Sequence, residues 1–376
     1  MRTPLARRNL LHRGRRSLAA LAGVAFAIFL IFAQLGFRAA TARGATLVFD
    51  ALAYDLLILS PNYEFLTRPR EVPREALARA RAVEGVAEVV PLRLAFAEWR
   101  NPQTGLPWAL LALGVDPATR PFRDASTNAR LGRLAEPGAV LMDTRSRAEY
   151  GPRGIGAEAE LQGERVRVVG RYTMGAGFVA NATLVCSERT LARVLGDPIR
   201  RGSSLGLVRL EPGAEAVRAK AALAAALGPS AVVMTREEHS AREARLWLDV
   251  KPIGIVFTSG VAIAFLAGAV VLYQVLASEV QARLREYATL KALGFADREV
   301  YGVVLRQALL FSGLGFLPAL LAAAGLYALV RARVALPVSL DWERVLFVAG
   351  LTAAMCLSAA LLAVRRLRTA DPADLF

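Results

Sequence analysis

Four stretches of this sequence, 17–37, 253–277, 307–330 and 345–364, run without a single charged residue. A helix rising 1.5 Å per residue needs about 20 apolar residues to cross the roughly 30 Å of hydrocarbon in a bilayer. Helices buried in soluble proteins rarely stay free of charge for so long. The runs are therefore read as membrane spans, in agreement with 55% hydrophobic residues and a mean hydropathy of +0.39. A basic start, an apolar stretch and Ala40-Thr41-Ala42 make the first run resemble a secretory signal with its cleavage site. Its apolar part exceeds the 7–15 residues usual for a signal core, so it is kept as a span.

Basic residues orient the spans. Arg7, Arg8, Arg13, Arg15 and Arg16 precede the first; Arg283, Arg285, Lys291 and Arg298 crowd the connection between the second and third; Arg365, Arg366 and Arg368 follow the fourth. Under the positive-inside rule these three places are cytoplasmic. Both termini are then cytoplasmic, and roughly 210 residues, 38–251, lie outside with the short link 331–344. That link is nearly neutral by composition, since Asp341 and Glu343 offset Arg331, Arg333 and Arg344. The net charge of +15 does not indicate nucleic acid, because its basic residues are dispersed and densest beside the apolar runs. Anionic lipid headgroups suit that placement better.

The expected architecture is four transmembrane α-helices with a large α+β extracytoplasmic domain between the first and second. Gly and Pro punctuate short β-like runs here, interleaved with Ala/Arg-rich helical segments. Strands are expected at 54–59, 86–91, 205–210 and 231–235, helices at 73–83 and 213–227, and a hairpin over 161–172 turning at Gly163-Glu164. Segment 39–50 has few helix breakers and 236–250 reads as helical, so both are expected to extend spans as a rigid stalk; ordinary linkers are the alternative. The boundaries that follow are 1–16 cytoplasmic, 17–50 first span and stalk, 51–235 outer domain, 236–277 stalk and second span, and 278–376 permease core with a cytoplasmic tail. Small residues four apart, Gly23 and Ala27, Gly260, Ala264 and Gly268, Gly350 and Ala354, are candidates for close helix packing in lipid. Pro318, near Gly313 and Gly315, is expected to kink the third span.

Catalytic chemistry is missing. No Gly-Lys dipeptide occurs, so a standard phosphate-binding loop is excluded. The two histidines, His12 and His239, fall at the cytoplasmic membrane edge and among charges expected to be exposed, which suits neither a zinc site nor a Ser-His-Asp triad. Glu237 with Glu238 and Glu158 with Glu160 read as solvated faces. Cys186 and Cys356 have no metal-ligand spacing and are not expected to pair. With no Asp, Glu, Lys or His inside the runs, the ion or proton site of a secondary transporter is absent. Energy has to come from elsewhere.

Between the second and third runs, Val280, Leu284, Tyr287, Leu290 and Leu293 recur at helical spacing, with Glu279 one turn before Arg283. Composition allows either a partner-binding helix or one lying at the lipid surface. The segment Arg285, Glu286, Tyr287, Ala288, Thr289, Leu290, Lys291, Ala292, Leu293, Gly294 resembles the signature after the second span of FtsX-like permeases of the MacB type. The ending Arg365-Arg366-Leu367-Arg368, followed by Ala370-Asp371-Pro372-Ala373, is similar to that family's ending. Within it, Ala22-Gly23-Val24-Ala25-Phe26-Ala27, Gln34-Leu35-Gly36-Phe37 and Asp55-Leu56-Leu57-Ile58-Leu59-Ser60-Pro61 resemble DevC-type permeases.

The resemblance implies a non-enzymatic membrane subunit of an ABC export system in the bacterial inner membrane. It implies that residues 285–294 form the coupling helix to a cytoplasmic ABC ATPase, which supplies ATP and Mg while this chain binds no cofactor. It further implies a homodimer, a periplasmic adaptor (membrane fusion protein) and an outer-membrane channel, with a lipid-like, peptide or drug-like cargo driven from the periplasm. Two alternatives stay open: a non-transporting mechanotransmitter of the FtsX kind, whose outer loop is usually smaller, and a lipoprotein-extraction permease. A reporter that works only outside the cytoplasm should be active when fused after Gly228; activity from a cytoplasm-only reporter at that position would overturn the orientation.

Overall fold

The computed structural model describes residues 14–175, 181–196, 202–282, 297–334 and 336–368. Along the chain come helix α1 (Gly14–Ala51), strand β1 (Leu56–Leu59), helix α2 (Arg74–Arg81), strands β2 (Val86–Arg100) and β3 (Pro107–Val115), and the short helix α3 (Ala125–Asn128). Strands β4 (Ala139–Asp143), β5 (Glu158–Leu161), β6 (Glu164–Tyr172) and β7 (Thr183–Ser187) follow, then α4 (Glu188–Leu195), β8 (Leu205–Leu210), α5 (Ala216–Leu227), β9 (Val232–Thr235) and α6 (Arg236–Arg245). Three long helices end the chain: α7 (Pro252–Ala282), α8 (Asp297–Val334) and α9 (Trp342–Arg368).

The chain divides into two compact units. One joins the first part of α1 to α7, α8 and α9, whose apolar windows make all four helices long enough to cross a membrane. Its interior is built from Val24, Ile28, Phe32, Leu272, Phe311, Met355 and their neighbours, while Phe26, Ile263, Leu266, Leu317, Leu321 and Phe347 point outward. Large apolar side chains left outside suit lipid, which is as apolar as they are. Hydroxyls inside the bundle find partners within their own helices: Ser312 donates to Ala308 O at 2.9 Å and Thr352 to Val348 O at 2.8 Å. Such back-bonding is how a helix in hydrocarbon keeps a polar side chain satisfied.

Glycine sets the closest helix approaches. A Cβ on Gly268 would meet Met355 and lie 2.8 Å from Ala27 Cβ, and one on Gly36 would run into the ring of Tyr327. Tyr327 in turn donates its hydroxyl to the carbonyl of Phe32, one turn before Gly36. Pro318 lies inside α8.

The other unit holds all nine strands, in the order β3-β7-β4-β6-β5-β2-β8-β1-β9, with β3 also paired to β2. The extra pairing closes β3, β7, β4, β6, β5 and β2 into a ring, whereas β2, β8, β1 and β9 form an open antiparallel sheet. In that open sheet α2 joins β1 to β2 and α5 joins β8 to β9, two interleaved split β-α-β crossovers. Residues Val86 to Leu92 of β2 pair with β8, and Arg93 to Arg100 pair with β3. The sequence reading ended this strand at Pro91. Pro91 is tolerated because, among the described residues, β8 alone pairs with that half of β2, so there is no second ladder for the missing N–H to break.

The hairpin turns at Gln162-Gly163, one residue earlier than expected. Both have positive φ, 52° and 81°, the combination that a two-residue turn of the type I′ kind requires. The expected helix over 236–250 also differs: α6 ends at Arg245, a π-helical turn spans Leu246–Val250, and Lys251 is extended at φ −77°, ψ 143°. A residue before proline is excluded from the helical region, so Pro252 breaks the rod and begins α7.

Replacing Gly36 with Leu should displace Tyr327 and its bond to Phe32, at a cost of about 1–3 kcal/mol. A lower melting temperature of the detergent-solubilised chain is expected, and an unchanged one would contradict the close approach.

Candidate functional site

The ten residues 285–294 fall outside the described residues. Of the small residues singled out for packing, Ala27, Ala264 and Gly268 are buried in the helix bundle. An added Cβ would lie 3.0 Å from Val271 at Gly23 and 2.6 Å from the Gln34 side chain at Gly260. Gly350 and Ala354 are exposed, and Met355 and Cys356 form the inward face of α9 instead.

In the strand-bearing unit the densest polar chemistry lies where α6 packs on the end of α1. Thr235 begins α6 as a capping box, its hydroxyl accepting from Glu238 N at 3.2 Å while Glu238 accepts from Thr235 N at 2.9 Å. One residue on, Arg236 donates to the carbonyls of Phe49, Leu52 and Tyr54 at 3.0, 2.9 and 2.9 Å, and its guanidinium lies 3.8 Å from the centre of the Tyr54 ring. These carbonyls belong to the last turn of α1 and the residues just after it, where a helix leaves acceptors unpaired and its dipole favours a cation.

Further along α6, His239 and Glu243 are 0% and 1% exposed. His239 packs its ring 4.1 Å from that of Phe49. Glu243 accepts from the Tyr63 hydroxyl at 2.5 Å, and Arg242 donates to the Tyr63 carbonyl at 2.6 Å. The second Glu243 oxygen and both imidazole nitrogens have no hydrogen-bond partner among the described residues, and His239 Nε2 stays 3.8 Å from Glu243 Oε1. Asp143, also buried, differs: it accepts from the amides of Arg145, Met174 and Gly175 and from the Thr183 hydroxyl.

Burial decides the charge states here. It pushes the Glu243 carboxyl up to about 7 against the opposing pull of the Tyr63 hydrogen bond, a Leu66 backbone hydrogen bond and Arg242. Burial also pulls His239 down to about 4, helped by Arg242 and Arg236. A neutral imidazole beside a carboxyl whose neutral form is favoured reduces the cost of an unpaired buried charge.

His239 was expected among exposed charges; the structure buries it. Arg236, His239 and Glu243 follow helical spacing and share the inner face of α6, a spacing that Leu246 continues into the π-helical turn, while Glu237 and Glu238 are exposed. The 236, 239, 243, 246 spacing is visible in the sequence, but charged and polar residues along it read as a solvated stripe. Glu158 and Glu160 are exposed, as expected. Cys186 and Cys356 are free and buried. Among the described residues no group of His, Cys, Asp and Glu could hold a metal ion.

The model of the MacB-like periplasmic core domain matches residues 17–226, which is 210 of 376 residues, and that of the FtsX-like permease C-terminal region matches 257–372. The chain belongs to the FtsX/MacB-like ABC permease family. Two solved structures are similar to it. One is the extracellular domain of the noncanonic ABC-type transporter YknZ from Gram-positive bacteria, at 16% identity over 48% of this chain and 99% of that one, TM-score 0.34. The other is the periplasmic region of MacB from Actinobacillus actinomycetemcomitans, at 10% identity over 52% of this chain and 94% of that one, TM-score 0.37. No curated protein matches the chain. FtsX/MacB-like permeases are membrane subunits that work with a cytoplasmic ATPase, and this permease carries its strand-bearing domain between the first and second membrane-spanning helices.

The two buried groups impose opposite pH slopes. The folded chain resists protonating His239 until about pH 4, while the unfolded chain takes the proton near 6.5, so this group's contribution rises with pH between those values. Glu243 ionises near 4.5 when unfolded and near 7 when folded, so its contribution falls as pH rises through that interval. Melting temperatures measured from pH 4 to 7 should therefore climb more steeply for Glu243→Gln than for the parent, and His239→Asn should fall. Parallel profiles for the two variants would contradict the assignment.

Proposed function

We propose that this chain is the permease subunit of an ABC export system, in which a separate ATPase drives efflux of a lipid-like, peptide or drug-like substrate. The observation that supports this reading is a folded domain between the first and second candidate spans, together with an amphipathic sequence pattern in the connection between the second and third. By the sequence resemblance, Arg285, Glu286, Tyr287, Ala288, Thr289, Leu290, Lys291, Ala292, Leu293 and Gly294 are assigned as the coupling segment that docks on the ATPase. Motion enters there and passes along α7 and α1, which lead in sequence to α6 and to the start of the outer domain.

Arg236, bound to three carbonyls at the end of α1, makes that end and α6 move together. A homodimer, cytoplasmic termini, a periplasmic adaptor and an outer-membrane channel complete the proposed assembly, and the resemblance of residues 22–27, 34–37 and 55–61 to DevC-type permeases supports placing the chain near that subfamily. Energy comes from ATP and Mg on the partner, consistent with the absence of a Gly-Lys phosphate loop here.

Carboxylates placed on the coupling helix would have to be buried unpaired at the partner's surface. Tyr287→Asp and Leu290→Asp should each abolish co-purification with the ATPase while membrane insertion persists. Undiminished binding would refute the coupling assignment.

A further inference from the structure

Beside the buried Glu243 lies an open cavity of about 520 Å³, formed within the strand-bearing unit by residues 63–65, by α6 and by the π-helical turn after it. This volume falls in the range of small-ligand sites, about 300–1,000 Å³. Three cations line it: Arg242, Arg245 and Lys251. Two of them spend their charge on neutral partners, Arg242 on the Tyr63 carbonyl at 2.6 Å and Lys251 on the Phe65 ring at 4.1 Å from its centre.

The acids in the lining are already engaged. Glu64 faces Arg68 and Arg70 at 3.4 and 3.8 Å, and Glu238 holds Lys220 at 2.5 Å. Behind Tyr63 of the lining, Glu243 accepts the hydrogen bond of the Tyr63 hydroxyl, and burial favours its neutral form. The field in the cavity is therefore positive. Its remaining wall is apolar: Phe65 stands edge-on to Trp247 at 6.2 Å, and Leu246 and Val250 are adjacent, with Val250 64% exposed. Lys251 and Val250 directly precede Pro252, the first residue of an apolar helix long enough to span the bilayer.

Cations beside exposed apolar side chains, at the point where the chain enters hydrocarbon, match an amphiphile with an anionic head. We propose that this cavity binds the phosphate-bearing headgroup of an anionic phospholipid, with Arg242, Arg245 and Lys251 around the phosphate and Leu246 and Val250 against the first acyl carbons. The inference rests on the membrane orientation of the proposed permease, and not on its cargo or its ATPase.

The test uses the full chain in neutral detergent, titrated with fluorescent phosphatidylglycerol or with the same label on phosphatidylcholine. Each cation beside an anionic headgroup contributes about 1 kcal/mol, so phosphatidylglycerol should bind about tenfold more tightly or better. The double reversal Arg245→Glu with Lys251→Glu should bring it to the phosphatidylcholine level, whereas Arg165→Glu with Arg171→Glu, exposed residues of β6, should not. If the reversal does not fold, Arg245→Gln with Lys251→Gln supplies the same comparison. Equal affinity for the two lipids, or an unaltered double variant, overturns the proposal. Displacement of phosphatidylglycerol by equimolar inorganic phosphate overturns the lipid source and leaves a free-phosphate site. Co-purification with the ATPase is read separately, so loss of lipid binding and failure of the export reading are distinguishable.

Discussion

Hydrocarbon offers no partner to a backbone N–H or carbonyl, and this exclusion governs the chain from its first helix to its last. Each charge-free stretch must be helical because only a helix satisfies its own backbone. With lipid outside as apolar as leucine, the helices gain nothing by hiding large side chains from it, and Phe26, Ile263 and Leu321 stay outward. What holds the bundle together is close approach. Gly268 against Ala27 and Met355, and Gly36 against Tyr327, remove the side chains that would keep helices apart.

Outside the apolar stretch, α1 continues to Ala51 and then has to end, leaving carbonyls without intrahelical partners. Arg236 meets this demand from 184 positions further along the chain at Leu52, which couples the two segments that lead out of and back toward the membrane. A positive side chain at a helix C-terminus is favourable through the helix dipole, and stacking on Tyr54 shields it. The same helix α6 presents Arg242 to the Tyr63 carbonyl and Glu243 to the Tyr63 hydroxyl, so residues 60–66 are fastened by two kinds of bond on one turn.

The contrast between Asp143 and Glu243 separates structural from adaptable burial. Asp143 is surrounded by donors, three of them backbone amides, and closes the loop after β4. Glu243 is held by the Tyr63 hydroxyl and the Leu66 backbone, and lies beside an imidazole with no partner among the described residues. A site satisfied only in part is costly in a low dielectric unless its members are neutral, and the shifts of both groups run in that direction. It lies within the strand-bearing unit, where α6 meets residues 60–66.

Much of this was readable before any coordinates. Spans need only length and the absence of charge, and the strands 205–210 and 231–235 with the helix between them were legible from local pattern. The break at Lys251 was not read, because the helical appearance of 236–250 concealed it, although Pro252 disfavours a helical conformation in the residue before it. Tertiary structure alone decided that β2 runs past Pro91, because the proline is harmless only where no second strand pairs. It alone decided that His239 and Glu243 are buried, since polarity marks a side chain as solvated until a ring such as Phe49 and a hydroxyl such as Tyr63 are brought against it from distant sequence. Local chemistry is written residue by residue, but burial is a property of what the rest of the chain places alongside.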